Sequence, residues 1–317
     1  MDEDRSGGVR IAVVGPGAMG CLLAAFLAKA KEEVCLIDHN SERVKNINED
    51  GIKIEGISGE FTIKVKATAE PKEIGICQLV VICVKSYDTE EAIKSVKELI
   101  GENTQVLTLQ NGIGNVQILN DIVGEDKVIG GVTSHGATVL GPGHIRHAGK
   151  GETIIGKANG KVLGPIREVV NVLNTAGFET KVSKDINGLI WSKLIINVGI
   201  NALTAATRLN NGRLIEYDGT KEIMRAAVQE AVKVAKRKRI KLVYDDPIQK
   251  VEGVAKATAG NISSMLQDVL KKRRTEIDFI NGAIVRQGKA LNMPTPVNET
   301  LTNLIKTIES SYDKQLS

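Results

Sequence analysis

From Val9 to about Gln110, short β-branched apolar runs alternate with amphipathic stretches, the rhythm of parallel βαβ units. Residues 9–14 read as a first strand, 18–30 as a helix rich in Ala and Leu, and 34–37 as a second strand followed by a polar helix that ends near Gly51. Residues 78–84 are apolar almost throughout, as expected of a strand covered on both faces. A helix over about 88–100 and a strand over 104–109 complete another unit. Between Ile52 and Lys66, and again from Lys127 to about Gly156, short alternating strands are broken by Gly and Pro. These are expected as extra strands at the edge of the same sheet.

After a helix at about 162–176 and a strand at 178–182, the pattern changes to helical spacing. Helices are predicted over about 189–203, 220–239, 248–256, 265–272 and 276–291, with a last one after Pro294-Thr-Pro296. The predicted fold class is therefore α/β: a Rossmann-type parallel-sheet domain over 1–184 and an all-α domain over 185–317, without internal repeats or a low-complexity linker. A chain of 317 residues is long enough for two such cores.

Within the first all-helical segment, Lys193, Asn197 and Asn201 recur every fourth residue in an otherwise apolar run. On an α-helix that spacing drifts by only about 40° per step, so the three side chains form one polar stripe. A solvated helix face would carry Glu, Lys and Arg, whereas Asn is a mediocre helix former that adds little to an exposed surface. The stripe is built to meet something polar, either a wet groove and neighbouring helices or a ligand.

Composition narrows the classes. Charged residues make up 25% of the chain and the net charge is +4, too small and too dispersed for nucleic acid. The clusters Lys236–Arg239 and Lys271–Arg274 lie in or beside predicted helices and read as solvated faces. Cys21, Cys35, Cys77 and Cys83 show no C-x-x-C and no His at metal-ligand spacing, which points to reduced, mostly buried thiols and no metal. The acidic first eight residues lack the apolar stretch of a signal peptide, and no later apolar run is expected to reach membrane-spanning length. The expectation is a cytoplasmic protein without membrane or nucleic-acid partners.

The glycine pattern Gly15-Pro16-Gly17-Ala18-Met19-Gly20 follows a predicted strand and opens a predicted helix, the context in which it binds a dinucleotide. Gly15 permits the tight turn, Gly17 lets the backbone approach a pyrophosphate, and Gly20 allows close helix-to-strand packing. Asp38 ends the second strand, where an acidic group hydrogen-bonds the adenosine ribose and disfavours a 2′-phosphate, so the local chemistry leans towards NAD. Arg43, a short turn further on, is either a solvated helix residue or a phosphate ligand. Lys85 and Asn111 follow apolar strands at the carboxyl edge of the sheet. By themselves they read equally well as a surface lysine and as an Asn-Gly turn. His135, His144 and His147 suggest no triad, and His39 reads as a surface or adenine-side residue.

Taken together, Gly15 to Gly20, Val84-Lys85, Leu109-Gln-Asn-Gly112, Trp191-Ser-Lys193 with Asn197 and Asn201, Asn211-Gly212, Asn261 to Asp268 and Thr275-Glu-Ile-Asp-Phe-Ile-Asn-Gly282 closely resemble the ketopantoate reductases, or 2-dehydropantoate 2-reductases. The likeness runs from Val9 to about Pro296. It implies a Rossmann domain followed by a helical domain of the 6-phosphogluconate dehydrogenase-like type, with the site in the cleft between them. The implied reaction is NADPH-dependent reduction of 2-dehydropantoate to pantoate on the route to pantothenate and coenzyme A.

The resemblance also implies roles. Lys193 matches the general acid and Glu276 its acidic partner. Asn111, Asn197, Asn201, Asn211, Asn261 and Ser264 match substrate positions. Gly15, Pro16, Gly17, Ala18, Met19, Gly20, Asp38, Lys85, Asn111 and Ala137 match cofactor positions. Where NADPH-dependent members commonly place an arginine just after the second strand, this chain reads Asp38-His-Asn40, so NADH is expected to be accepted or preferred.

The chemistry agrees with these roles. A lysine partly desolvated by Trp191 and Leu194 has a lowered pKa suited to giving up a proton, and asparagines hold an alcohol and a carboxylate without adding charge. Read from the residues alone, Glu276 is either a site residue or a first-turn carboxylate complementing a helix dipole, and Ser263 or Ser264 is an N-cap. Two other readings stand beside ketopantoate reduction: a reductase of a different bulky 2-oxo acid, and a nucleotide-sensing protein that keeps the fold. A homodimer is a candidate assembly.

Overall fold

A computed structural model describes residues 9–162 and 164–314, so the acidic first eight residues lie outside the described residues. Packing divides the described residues into two compact units, one comprising those up to 110 and between 115 and 186, the other 111–114 and those from 187 onwards.

The first unit runs β1 (Arg10–Val14), α1 (Ala18–Lys29), β2 (Glu33–Ile37), α2 (Ser41–Asp50), β3 (Ile52–Gly56), β4 (Phe61–Ile63), β5 (Lys66–Thr68), β6 (Cys77–Ile82), α3 (Thr89–Ser95), β7 (Ile100–Thr108), α4 (Asn115–Val123), β8 (Val128–Thr133), β9 (Gly136–Gly141), β10 (His144–Gly149), β11 (Thr153–Gly156), α5 (Gly164–Thr175) and β12 (Thr180–Val182). Eight strands form one sheet in the order β12-β11-β8-β7-β6-β1-β2-β5. All its pairings are parallel except β11 with β8. Strand order reverses at β1, with β2 on one side and β6 on the other, which is where open α/β sheets bind ligands.

The continuous apolar runs follow from burial on both faces. In β1, Ile11 and Val13 enter the core shared with α1 and α5, while Ala12 and Val14 enter the core shared with α3 and α4. β6 divides in the same way, Leu79 and Val81 on one side and Val80 and Ile82 on the other.

The short strands depart from expectation. β5, β8 and β11 join the main sheet, but β4, β3, β10 and β9 form a separate four-stranded sheet. The cause lies in α1, whose Cys21, Leu22, Leu23, Ala24, Ala25 and Leu27 are all buried. A helix that is apolar all round must be covered on both sides. The main sheet covers one side; Ile52, Ile54 and Ile145 of the second sheet cover the other. The helix over 88–100 is also shorter than expected, ending at Ser95, and α4 lies in a stretch that carried no assignment.

The second unit is built from α6 (Ile186–Thr207), α7 (Asp218–Arg237), α8 (Pro247–Ala257), α9 (Ser264–Leu270), α10 (Asn281–Ala290) and α11 (Pro296–Ser310). Contrary to expectation, α6 is long and apolar enough to cross a membrane, with a mean hydropathy of 1.4. Its burial explains this, because 67% of that window is packed inside the protein. Trp191, Leu194, Ile195, Val198, Ala202 and Leu203 join α7, α8 and α11 in one core. The stretch 276–291 is not one helix: a 3₁₀ turn at Ile277–Phe279 precedes α10, with a break at Ile280, where φ is −111° and ψ −97°.

Candidate active site

In the first unit the glycine loop joins β1 to α1. Gly15 has φ +100°, and a Cβ there would lie 2.8 Å from the backbone nitrogen of Val84, so only glycine brings the two strand ends this close. A Cβ on Gly20 would lie 1.9 Å from the Gly15 carbonyl oxygen. At Gly17 the only neighbour within 4 Å of such an atom is the Cys83 carbonyl oxygen at 3.9 Å, which leaves open space over the loop among the described residues. Gly17 is also the N-cap of α1 and offers no side-chain cap, so the N–H groups of the first turn remain for an anion. This cradle fits a pyrophosphate.

Asp38 follows β2, but its carboxylate is not open as expected. Arg43 holds it in a two-point ion pair, Nε to Oδ2 and Nη2 to Oδ1, the latter at 3.1 Å. Arg43 is accordingly neither a purely solvated residue nor an unengaged one. Lys85 is half-buried just beyond β6. Beside it Gln110 donates to the Val84 carbonyl at 2.8 Å and to Thr89 Oγ1 at 2.9 Å, and Thr89 in turn donates to Asn115 at 2.9 Å. This network is not expected from the sequence, where its one signal is polar residues directly after apolar strands. Ala137 lies on β9, against the core around α1.

In the second unit α6 carries the polar stripe. Lys193 and Asn197 are half-buried and Asn201 is buried. Burial pulls the Lys193 pKa down to about 8, and the carboxylate of Glu276 opposes part of that shift. Asn197 Nδ2 is buried without a hydrogen-bond partner among the described residues, a donor awaiting an acceptor. Glu276 is buried and precedes the 3₁₀ turn instead of opening an α-helix, so the dipole explanation loses its helix.

Two further segments of this unit carry residues expected at the site. The segment 111–114 packs on the turn after Glu276: Ile113 N–H donates to the Phe279 carbonyl at 3.1 Å, and a Cβ on Gly112 would lie 2.3 Å from that oxygen. Asn111 is thereby both part of a turn and a neighbour of that segment. Ser263 caps α9 by accepting from Leu266 N–H at 3.1 Å. Ser264 is left exposed at the first helical position.

Asn211 behaves differently. Its Nδ2 donates to Thr258 Oγ1 at 2.9 Å and its N–H to the Asn261 carbonyl at 3.1 Å, so it braces the loop that leads to Asn261 and Ser264. Its Oδ1 is buried and unpaired among the described residues, whereas Asn261 itself is exposed.

The ketopantoate reductase PanE/ApbA family model matches residues 11–160, and its C-terminal companion matches residues 185–309. The chain belongs to the ketopantoate reductase PanE/ApbA family. A 2-dehydropantoate 2-reductase of Pyrococcus abyssi is 38% identical, over 97% of this chain and all of the relative. The crystal structure of a PanE/ApbA family ketopantoate reductase from Ralstonia eutropha is 34% identical, with a TM-score of 0.88, covering 96% of this chain and 99% of that one. A D-mandelate dehydrogenase solved with NADH and anilino(oxo)acetate is 29% identical, with a TM-score of 0.89 and the same coverage. Family membership accounts for both halves of the chain, the sheet unit and the helical unit.

Proposed function

We propose that this chain reduces 2-dehydropantoate to pantoate with a nicotinamide dinucleotide, serving the supply of pantothenate and coenzyme A. The single observation that carries the chemistry is Lys193, whose pKa is pulled down to about 8 on a stripe with Asn197 and Asn201. Near neutrality such a lysine is mostly ammonium and readily gives up its proton. Full-length likeness to curated 2-dehydropantoate 2-reductases supports the substrate.

In this reading residues 1–184 hold the dinucleotide and 185–317 supply the substrate residues. The Gly15 to Gly20 loop carries the pyrophosphate, with Asp38, Lys85, Asn111 and Ala137 along the rest of the cofactor. When bound, the cofactor supplies the hydride that reduces the 2-oxo carbon. Lys193 Nζ donates the proton that turns the carbonyl oxygen into a hydroxyl, stabilises the negative charge developing there, and is reprotonated from solvent. Glu276 sustains the ammonium form. Asn197, Asn201, Asn211, Asn261 and Ser264 hold the hydroxyl and carboxylate of the acid, Asn197 with its unpaired Nδ2 and Asn211 chiefly through its loop.

The resemblance to D-mandelate dehydrogenase favours one second reading, reduction of another bulky 2-oxo acid, since a pocket discriminates between neighbouring aliphatic groups only weakly. Steady-state assays with 2-dehydropantoate and a panel of 2-oxo acids, each with NADH and NADPH, decide between them. A higher kcat/KM for an aromatic 2-oxo acid, or no turnover of 2-dehydropantoate with either cofactor, defeats the first reading. Four free cysteines, three of them buried, support the cytoplasm as the compartment. The partners in this reading are the small molecules alone, without nucleic acid or membrane, and a homodimer is the assembly to test by light scattering.

A further inference from the structure

Asn281 opens α10 five residues after Glu276, is 0% exposed, and has no part in the chemistry described above. Its side-chain nitrogen donates twice, to the Val198 carbonyl of α6 at 3.2 Å and to Asn298 Oδ1 at 3.0 Å. Val198 stands on α6 between Asn197 and Asn201 of the polar stripe. We infer that Asn281 is a positioning residue for the reduction, holding the segment that carries Glu276 in register with the helix that carries Lys193. The inference rests on the roles proposed for those two residues.

The orientation of the Asn281 amide is fixed from its far side. Asn298 donates through Nδ2 to the Ala227 carbonyl at 3.0 Å and to Glu230 Oε2 at 2.7 Å, so its Oδ1 is the atom left to face Asn281. Glu230 in turn accepts from the N–H groups of Val297 and Asn298, at 2.9 and 3.0 Å. One chain of hydrogen bonds thereby joins α7, α11, α10 and α6, running from a half-buried carboxylate to the Val198 carbonyl. Turning the Asn281 amide over would set its oxygen against two acceptors, so a single orientation is allowed.

Between Glu276 and Asn281 the chain has little freedom. Phe279 N–H donates to the Glu276 carbonyl at 2.9 Å and Ile280 N–H to the Ile277 carbonyl at 3.2 Å. A Cβ on Gly282 would lie 3.2 Å from that Ile277 oxygen, so α10 begins tight against the turn. A displacement of Asn281 is therefore passed on to Glu276. On the other side Thr275 N–H donates to Glu309 of α11 at 2.6 Å. Thr275 ties the segment to α11, and Asn281 ties it to α6.

Stability by itself does not call for an amide at this position. Asn281 Oδ1 is buried without a partner among the described residues, a cost that an apolar side chain of similar size would not carry. The Val198 carbonyl, inside a helix, already accepts from the backbone ladder. What the second donor adds is direction, a fixed point on α6 one residue from Asn197. The Glu276 carboxylate acts on Lys193 through space, so the separation of their two segments sets how strongly it supports the ammonium.

Asn281→Leu in the full-length protein tests the inference, with the Lys193 ammonium titrated by NMR on isotopically labelled lysine and assigned through Lys193→Arg. With Glu276 less closely held, Lys193 should lose its proton at lower pH. The alkaline limb of kcat/KM should move the same way, towards that of Glu276→Gln. The kcat should fall about tenfold or more, since a misplacement of about 1 Å can cost about 10²-fold. On a Glu276→Gln background, Asn281→Leu should move the titration no further, because the two changes act through one interaction. Glu230→Gln, at the half-buried far end of the chain of bonds, should give a smaller shift in the same direction and serves if the leucine variant folds poorly.

A wild-type Lys193 titration in these variants, a shift to higher pH, or full additivity with Glu276→Gln overturns the inference and makes Asn281 a packing residue alone. A wild type that reduces no 2-oxo acid overturns the reduction reading instead. The titration needs no turnover, so the two failures are distinguishable.

Discussion

The hydroxyls of Ser263 and Thr204 lie 2.6 Å apart inside the helical unit, both buried. Thr204 sits three residues beyond Asn201 on α6, and Ser263 caps α9. The bond ties the start of α9 to the end of the polar stripe and leaves the adjacent Ser264 exposed. It divides labour between two neighbouring serines.

Ser263→Ala should therefore destabilise the protein and Ser264→Ala should not. Loss of an N-cap typically costs about 0.5–2 kcal/mol, and Thr204 loses a partner besides. Ser264→Ala should raise KM for the keto acid with the melting temperature unchanged. Thermal denaturation and steady-state kinetics of the two variants check the division; equal melting temperatures would refute it.

Lys193→Ala should retain dinucleotide binding and lose reduction rate by about 10²- to 10⁴-fold, the usual worth of a general acid. With the Lys193 pKa at about 8, wild-type kcat/KM should fall as pH rises through that value, because the proton donor is lost there. The Glu276 carboxylate raises this pKa against the lowering by burial. Glu276→Gln should thus move the alkaline limb to lower pH, a displacement that a purely structural role for Glu276 would not cause. Kinetic pH profiles of both proteins measure it.

The stripe and the glycine loop were legible in the sequence because each obeys a local rule: helical period for Lys193, Asn197 and Asn201, and strand-to-helix context for Gly15 to Gly20. The second sheet was legible only indirectly, through the uniform apolarity of α1, which demands cover on both sides. The break at Ile280 left no sign, since Ile277, Ile280 and Ile284 keep helical spacing across it and all three are buried. The Asp38 and Arg43 pair was hidden for a different reason. Its partners are close in sequence, but the burial of the Asp38 side chain beneath a partly exposed Arg43 is set by tertiary packing.

Gly112→Ala should damage the site from a distance along the chain. Gly112 has φ +84°, and the added Cβ would strike the Phe279 carbonyl oxygen at 2.3 Å, the same oxygen that accepts from Ile113. Either the 111–114 turn or the 277–279 turn must shift, displacing Asn111 or the segment after Glu276. We expect a lower kcat together with a lower melting temperature, whereas Gly164→Ala, with nothing within 4 Å of the new atom, should be silent in both measurements.

Acid should weaken the protein through its paired histidines. His135 Nδ1 lies 3.1 Å from His147 Nε2, the rings stack 5.2 Å apart, and His147 Nδ1 lies 2.6 Å from Ser58 Oγ. Phe178 packs on His135 and Phe26 on His147. Burial first, then the charges of His147 and Lys150, pull the His135 pKa from 6.5 to about 4. Burial, with Lys150 adding to it, also lowers that of His147. Between pH 6.5 and 4 the unfolded chain therefore binds more protons at His135 than the folded one, so stability falls as pH falls through that window. The melting temperature should drop from pH 7 to pH 5, and His135→Gln should flatten the drop even if it lowers the value at pH 7. An unchanged slope in the variant, measured by calorimetry over that range, would show that the acid sensitivity resides elsewhere.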